Sequence, residues 1–163
     1  KRIGHGIDIS YDSDMYQTLQ LMAEGEVAVE INLTSNDVIL GVSGKDHPIS
    51  IYLENSVPIT ISTDDEGVSR INLTHEYQRA VETFDLAYET IKTISRNALQ
   101  YSFLPGRSLF QNTMDGSLNN ECRKGLPQDL EDRSNCSDFI LQSEKALMQW
   151  QLEKDFTSFE ANF

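Results

Sequence analysis

The sequence predicts an α/β protein whose parallel strands and covering helices form the C-terminal part of a (β/α)8 TIM-type barrel. Short apolar runs rich in β-branched residues alternate with segments of helical periodicity, which is typical of a parallel sheet covered by helices. Polar residues follow the ends of the predicted strands, at the face that carries the active site in such barrels. A full barrel needs about 250 residues. This chain has 163 residues, which is enough for only part of a barrel, with three strands.

Three segments are predicted as strands. KRIGHG is typical of a strand end that runs straight into a loop, so we expect further residues upstream of Lys1. VAVEINL at residues 27–33 and VPITIS at residues 57–62 are rich in β-branched side chains, which favour strands. The polar TSND at residues 34–37 follows the second strand, and the next predicted helix begins at residue 44.

Helices are predicted between and after these strands. Residues 10–26 carry apolar side chains at helical spacing and meet a helix-ending glycine at Gly25. Residues 44–57 have a proline in what would be the first helical turn, a favoured position for proline. Residues 73–84 and 88–101 are predicted as two further helices. The order of elements is therefore strand, helix, strand, helix, strand and helices.

Three segments are expected along the chain: the C-terminal half of the barrel over 1–104, a long loop over 105–137, and a C-terminal helix over 138–163 that packs on the barrel. The middle segment has weak periodicity and many turn residues. The last segment has apolar residues on one helical face, a pattern that most often indicates core packing. These residues are Leu141, Met148, Leu152, Phe156, Phe159 and Phe163, with Trp150 beside them.

The charge of the chain limits its partners. It has 13 basic and 26 acidic residues, which give a formal net charge of -13. A nucleic acid backbone would be repelled by such a surface, so no nucleic acid partner is expected. No apolar run approaches the length of a membrane-spanning helix, so no membrane partner is expected either. The simplest interpretation of the acidity is solubility.

The two cysteines, Cys122 and Cys136, lie in a polar stretch without metal-site spacing. A disulfide between them would stabilise the fold by about 3 kcal/mol in the chain-entropy description. It would imply an oxidising compartment, so the protein would be periplasmic or secreted. The alternative is a pair of free thiols in a cytoplasmic protein.

A histidine and an aspartate pair at strand ends are the candidates for chemistry. His5 follows the first predicted strand, and Asp64 and Asp65 follow the third. Imidazole and carboxylate groups are both good zinc ligands, so the pattern indicates a metal-dependent hydrolase. The alternative is that Asp64 caps the next helix and Asp65 lies in solvent, and spacing alone favours neither. Surface or capping roles are expected for His47 and His75.

Five stretches of the sequence resemble the adenosine deaminase family. They are RIGHG at 2–6, VEINLTSN at 29–36, ISTDDEGVSR at 61–70, RNALQYSFLPG at 96–106 and QWQLEKDF at 149–156. The resemblance covers roughly the whole chain and is closest to the longer bacterial members and their secreted growth-factor relatives. The region around the cysteines is its least specific part.

This resemblance implies a barrel fold and a Zn²⁺-dependent reaction that removes ammonia from carbon 6 of adenosine, giving inosine. It implies that His5 orients the attacking hydroxide. Asp64 would ligate zinc and draw a proton from water, and Asp65 would hydrogen-bond the purine ring. The purine nucleoside is then the expected substrate.

Several family features have no counterpart in this chain. The H-x-H pair, the third zinc-binding histidine and a nearby glutamate would all lie upstream of Lys1. We therefore expect an active enzyme only when the chain is joined to its missing N-terminal half, and no activity from the chain alone. The alternatives are a non-catalytic fragment or interaction module that self-associates as a homo-oligomer, and a deaminase of adenine, a nucleotide or a modified adenosine. The H-x-E and P-C-x-x-C pattern of cytidine deaminases is absent.

Overall fold

The computed structural model describes residues 1–162 and divides into two compact units. The first unit covers Lys1–Ala98, and the second begins at Leu99. This division into compact units does not test the three predicted segments, which are assigned as parts of a barrel. They therefore stay predictions. Phe163, the last residue of the predicted apolar stripe, lies outside the described residues.

A parallel three-stranded sheet forms the centre of the first unit, as the sequence predicts. Its strands lie in the order β1-β2-β3, and both pairings are parallel. Ile3 pairs with Val29, and Val29 pairs with Ile59, so the three strands share one register across the sheet. The strands are β1 (Arg2–Gly4), β2 (Ala28–Ile31) and β3 (Ile59–Ile61).

Six helices accompany this sheet. Asn72 begins the fifth of them by accepting a hydrogen bond from the backbone N–H of His75 at 2.9 Å, a typical N-cap. Short 3-10 helices cover Ile7–Tyr11 and Gly44–Asp46. The helices are α1 (Met15–Glu24), α2 (Leu33–Leu40), α3 (Ile49–Glu54), α4 (Glu66–Ser69), α5 (Leu73–Phe84) and α6 (Tyr88–Gln100), whose last residues belong to the second unit.

The core of the first unit consists of aliphatic side chains from the strands and from several helices. Val29 and Ile31 of β2 are fully buried, and Ile59 of β3 is almost fully buried. Leu19 of α1 and Ile49 of α3 are also fully buried against this cluster. Burying such side chains is the main favourable contribution to folding, at about 25 cal/mol for each Å² of apolar surface.

The structure corrects two helix predictions in the first unit. Helix α2, over Leu33–Leu40, has no counterpart among the predicted helices. The segment 44–57 is a 3-10 turn followed by the short α3, rather than one helix. Sequence patterns missed α2 because the buried side chains of its first turn include Thr34, Ser35 and Asn36, which are polar.

The second unit contains a short hairpin and two helices. Its strands β4 (Phe110–Asn112) and β5 (Ser117–Leu118) are antiparallel, so the predicted loop over 105–137 is partly structured. A 3-10 helix over Asn120–Cys122 is joined to α7 (Asn135–Leu141) by a disulfide between Cys122 and Cys136, with Cα atoms 4.7 Å apart. The final helix is α8 (Glu144–Glu160). None of the helices within residues 1–162 has the length and apolar character needed to cross a bilayer.

The apolar stripe predicted for the C-terminal segment is wrong as a core face. Leu141 is 59% exposed, Met148 is 45% exposed and Phe159 is 51% exposed. The predicted single helix is two helices, because α7 ends at Leu141 and Ser143 caps the start of α8. The apolar side chains of the two helices therefore do not form one continuous face. The buried face of α8 contains Ala146, Gln149 and Trp150.

Candidate active site

His5 lies in a sharp turn directly after β1. Its φ angle is 63° and that of Gly6 is 61°, so two successive residues adopt the left-handed conformation. This conformation is strained for histidine and persists only where the surroundings enforce it. A Cβ atom at Gly6 would lie 2.7 Å from both Tyr52 Oη and Val29 Cγ1, so the position requires glycine.

Tyr52 holds this turn in place. Its hydroxyl donates a hydrogen bond to the carbonyl oxygen of Gly6 at 2.5 Å. Burial raises the pKa of Tyr52 to about 12, and the negative charge of Asp8 acts in the same direction. The phenol therefore remains a neutral donor across the physiological range. The backbone N–H of His5 also donates to Glu30 of β2 at 2.9 Å, so the turn is tied to the sheet.

Asp64 lies in a similar turn after β3. Its φ angle is 52°, again left-handed, and its carboxylate accepts a hydrogen bond from Ser35 Oγ at 2.7 Å. The same oxygen, Oδ2, lies 3.9 Å from Nε2 of His5. The parallel sheet thus brings together two candidate residues that are far apart in the sequence.

Asp65 occupies the N-cap position of α4 and makes no side-chain capping hydrogen bond there. Its side chain is exposed. The alternative in which Asp64 caps this helix is wrong, since Asp65 stands at the cap and the Asp64 carboxylate binds Ser35 instead. The two neighbouring carboxylates therefore have different surroundings, which fits different roles.

A surface role or a capping role is expected for His47; the surface role is wrong, since 2% of its surface is exposed, and the capping role is confirmed by its contact with the first residue of α3. Its Nε2 lies 2.8 Å from the amide of Asn36, and its Nδ1 accepts a hydrogen bond from the backbone N–H of Ile49 at 3.3 Å. Burial lowers the pKa of His47 to about 4, and the positive charge of Arg79 acts in the same direction. His75 is exposed in the first turn of α5, as expected.

Three residues of the polar cluster have no assigned role in the site from the sequence, although the polar run after the second strand is recognised there: Ser35, Asn36 and His47. Asn36 is fully buried and contacts both His5 and His47. The signal that could have found them is the run of polar residues directly after an apolar strand. At the carboxyl edge of a parallel sheet, such residues face the same site as those after neighbouring strands.

Helix α5 fixes the position of α2 and so of this cluster. Glu76 is fully buried and accepts hydrogen bonds from the backbone N–H of Thr34, at 3.2 Å, and from its hydroxyl. Arg79 donates to Thr34 Oγ1 at 3.1 Å and forms an ion pair with Asp37. The hydrogen bond from Arg79 lowers the pKa of Asp37. These contacts orient the polar first turn of α2 toward the strand ends.

The side chains of the cluster can supply part of a metal site. Asp64 offers a carboxylate, and Nε2 of His5 lies 3.9 Å from it. Zinc in proteins takes three or four protein ligands. Within residues 1–162, no group of three or more histidine, cysteine, aspartate or glutamate side chains is placed to hold a metal ion. The described residues can thus contribute a ligand but do not form a complete site.

A cavity of about 480 Å³ opens beside His5 and is lined also by Gly6, Leu40 and Tyr52. This volume lies in the range of small-molecule sites. A second cavity of about 480 Å³ lies in the second unit, between residues 120–127 and Ser134–Cys136. The first cavity adjoins the polar cluster through His5, whereas Ser35 and Asp64 do not line it.

Comparison with known proteins gives this chain clear relatives over about two thirds of its length. The family model for adenosine deaminase matches residues 1–111. The chain is 38% identical over 104 residues to an adenosine deaminase of Clostridium perfringens strain 13, covering 63% of this chain and 30% of that protein. It is 33% identical over 105 residues to an adenosine deaminase of Escherichia coli strain SMS-3-5, covering 64% and 31%. The chain spans about 30% of the length of these curated relatives.

Solved structures agree with these sequence matches. An apo N6-methyl-AMP deaminase from Arabidopsis thaliana matches with a TM-score of 0.54 and 29% identity, covering 63% of this chain and 29% of that one. The Arabidopsis ADAL complex with IMP matches with a TM-score of 0.54 and 28% identity over the same shares. An adenine deaminase from Arthrobacter aurescens, at 22% identity and a TM-score of 0.55, covers 63% of this chain and 31% of that one and supports the fold alone.

Proposed function

Because this chain belongs to the adenosine deaminase family, we propose that the longer protein carrying it removes the exocyclic amino group of a purine by hydrolysis. This chain supplies part of the active site through His5 and Asp64. The observation that carries the proposal is the 3.9 Å approach between Nε2 of His5 and Oδ2 of Asp64 at the ends of β1 and β3. Both residues are held in left-handed turns, and strained backbone of this kind clusters at functional sites.

The reaction assigns a separate task to each side chain. Zn²⁺, when bound, supplies a hydroxide at neutral pH because it lowers the pKa of water. Asp64 is its proposed ligand in this chain and the acceptor of the water proton, with Ser35 holding the carboxylate in place. His5 donates a hydrogen bond to the attacking oxygen. Asp65, which is exposed beside Asp64, hydrogen-bonds the purine ring.

Adenosine is the substrate that we propose first. The curated relatives at 33–38% identity are adenosine deaminases, whereas the matched N6-methyl-AMP deaminase is 29% identical. Adenine, a nucleotide and a modified adenosine remain the alternatives, because a carboxylate at position 65 can bind the same ring edge in each. Measuring formation of the 6-oxopurine product from each of these purines separates the four, because an N6-substituted adenosine releases an amine instead of ammonia.

The remaining zinc ligands are proposed to come from an N-terminal half of the same barrel. Within residues 1–162, β1 and β3 each pair on one side only, whereas a closed barrel leaves no edge. Ile3 of β1 is 46% exposed, and Val38 and Ile39 of α2 are 74% and 66% exposed. These apolar side chains support docking of further residues. The chain alone is then inactive. A homo-oligomer would use the same surface, and sedimentation of the isolated chain distinguishes it from a monomer.

An oxidising location is proposed for the protein, either the periplasm or the cell exterior, with the cytoplasm as the alternative. Support comes from the disulfide between Cys122 and Cys136, which closes a segment within the second unit. Disulfides persist in oxidising compartments and are rare in the cytosol. Labelling of free thiols in the protein taken from its natural source tests this location.

The substitution Asp64→Asn in the longer protein tests the proposed function. We expect loss of bound zinc and a fall in ammonia release from adenosine of roughly 10²- to 10⁴-fold, the usual contribution of an acid–base group. Asparagine tolerates the left-handed conformation, so the turn is kept. Asp85→Asn is the matched control, since Asp85 has the same φ of 52° and ends α5 outside the cluster. Full activity in the Asp64→Asn variant, or no 6-oxopurine product from any of the four purines with the unmodified protein, would contradict the proposal.

A further inference from the structure

A chain of buried polar groups leads from the start of α3 to His5. The backbone N–H of Ile49 lies 3.3 Å from Nδ1 of His47, and Nε2 of His47 lies 2.8 Å from one end of the Asn36 amide. The other end of that amide lies 2.8 Å from Nδ1 of His5. His47 is 2% exposed and Asn36 is fully buried. Buried donors and acceptors have to match, so the position of one proton constrains the next.

The direction of this chain is set at Ile49. A backbone N–H can only donate, so Nδ1 of His47 has to accept. His47 is neutral near neutral pH, because burial and the charge of Arg79 lower its pKa to about 4. A neutral imidazole has one protonated nitrogen, and here it is Nε2. His47 therefore donates its Nε2–H to Asn36.

Asn36 transmits this direction to His5. To accept a hydrogen bond from Nε2–H of His47, Asn36 has to turn its side-chain carbonyl oxygen toward His47. Its NH₂ group then faces Nδ1 of His5. The opposite orientation has Oδ1 toward His5 and Nδ2 toward His47, with the same distances. That orientation would move the His47 proton to Nδ1, where it would face the N–H of Ile49. Amide oxygen and nitrogen have nearly the same shape, so the partners decide between the two orientations.

Asn32 supports the same assignment independently. Its Nδ2 lies 3.3 Å from Nδ1 of His5 and also donates to the carbonyl oxygen of Glu30 at 3.4 Å. Reversing the Asn32 amide would place its oxygen against that carbonyl. In this orientation Asn32 presents a donor to Nδ1 of His5, which favours Nδ1 as an acceptor. A protonated Nδ1 would face this donor directly.

We propose that the buried pair His47 and Asn36 sets the tautomer of His5, leaving Nδ1 as an acceptor and placing the proton on Nε2. Nε2 is the ring atom that lies 3.9 Å from Asp64. A protonated Nε2 donates a hydrogen bond to an oxygen in the site and cannot remove a proton from it. His47 and Asn36 are thus positioning residues that act through His5. The inference deepens the proposed function and rests on it for the catalytic consequence alone.

Nuclear magnetic resonance of the ¹⁵N-histidine-labelled chain tests the tautomer directly. The chain has three histidines, so the spectrum is simple, and the exposed His75 serves as an internal reference. Long-range ¹H–¹⁵N correlations recorded above the ordinary histidine pKa distinguish protonated from bare ring nitrogens. We expect the proton on Nε2 in both His5 and His47. A proton on Nδ1 of either residue would overturn the proposal.

The substitution Asn36→Asp should move the proton of His5 from Nε2 to Nδ1, and the aspartate side chain has nearly the same shape as asparagine. A carboxylate only accepts, so Nδ1 of His5 should become protonated, while the His75 signals stay unchanged. An unchanged His5 spectrum in the folded variant would refute the relay. If the variant does not fold, the spectrum of the unmodified chain still decides the question. His75→Asn, outside the cluster, assigns the reference signals.

In the longer protein, the Asn36→Asp substitution should lower kcat by about 10- to 100-fold, the usual effect of losing a partner of an active-site group. KM should change less, because the substitution alters a proton position and not a contact to substrate. Unchanged kcat together with a shifted tautomer would contradict the catalytic consequence. If the unmodified protein forms no 6-oxopurine product, the proposed function fails while the spectra still decide the tautomer.

Discussion

The first unit surrounds its parallel strands with aliphatic side chains, whereas the second unit joins a 3-10 helix to α7 through the disulfide between Cys122 and Cys136. The buried polar groups also differ. In the first unit they converge on the strand ends, where His5, Asn36 and Asp64 meet. In the second unit, the fully buried Gln149 accepts a hydrogen bond from the backbone N–H of Leu109 at 2.7 Å.

The polar groups of the first unit are therefore suited to a function, whereas those of the second unit stabilise its fold. The polar cluster of the first unit has strained turns and a carboxylate beside an imidazole, an arrangement suited to chemistry. The polar contacts of the second unit satisfy backbone groups and hold α8 in place. The second unit is the smaller of the two, and small units bury less surface and more often use disulfides.

Reduction of the disulfide is expected to have the largest effect on this comparison. Closing a loop of this length stabilises by about 3 kcal/mol in the chain-entropy description, so reductant should destabilise the second unit by that amount. The single tryptophan, Trp150, lies in this unit and donates from Nε1 to the carbonyl oxygen of Pro127 at 2.9 Å. Its fluorescence during denaturant unfolding therefore reports on this unit.

The double substitution of Cys122 and Cys136 by serine should reproduce the effect of reductant and remove any further response to it. Hydrogen exchange at the amide of Val29, in β2, follows the first unit and should change little. If reductant lowered the hydrogen-exchange protection of Val29 and of α7 equally, the proposed difference between the units would be wrong.

Acid is expected to have a smaller effect, and in the first unit. His47 has a pKa of about 4 in the folded chain against an ordinary value of 6.5. Between these values the unfolded chain binds more protons, so the free energy of unfolding is highest above pH 6.5 and falls as the pH is lowered. The expected loss is roughly 2 kcal/mol at about pH 5.

Denaturant unfolding followed by hydrogen exchange in β2 measures this loss. His47→Gln should remove this part of the pH dependence, while His75→Gln, at an exposed position, should keep it. A β2 stability that does not change between pH 6.5 and about 4 would show that His47 does not titrate as its burial requires.

Much of the first unit follows from local sequence patterns. The runs VAVEINL and VPITIS gave β2 and β3 because continuous β-branched residues suit strands covered on both faces. The confirmed helix α5 has a clear N-cap at Asn72. Helix α2 was missed because its polar first turn is buried through partners on α5, Glu76 and Arg79, which lie far away in the sequence.

The site was partly visible in the sequence. His5, Asp64 and Asp65 could be selected because each follows a strand, and the structure brings the first two together. His47 could not be selected, since its burial depends on a hydrogen bond to Asn36 and on packing that no local pattern encodes. The apolar stripe of the C-terminal segment failed because Ser143 starts a new helix. Gln149 can be buried in α8 because its amide oxygen accepts a hydrogen bond from Leu109 and its amide nitrogen donates one to Gln100.

The most direct test of the central claim is the position of the metal relative to Asp64 in the longer protein. A crystal structure of the zinc-loaded protein, with anomalous scattering measured at the zinc absorption edge, locates the ion. We predict zinc at about 2.0–2.2 Å from a carboxylate oxygen of Asp64, the usual Zn–O ligand distance. A bound zinc ion whose ligands do not include Asp64 would contradict the account.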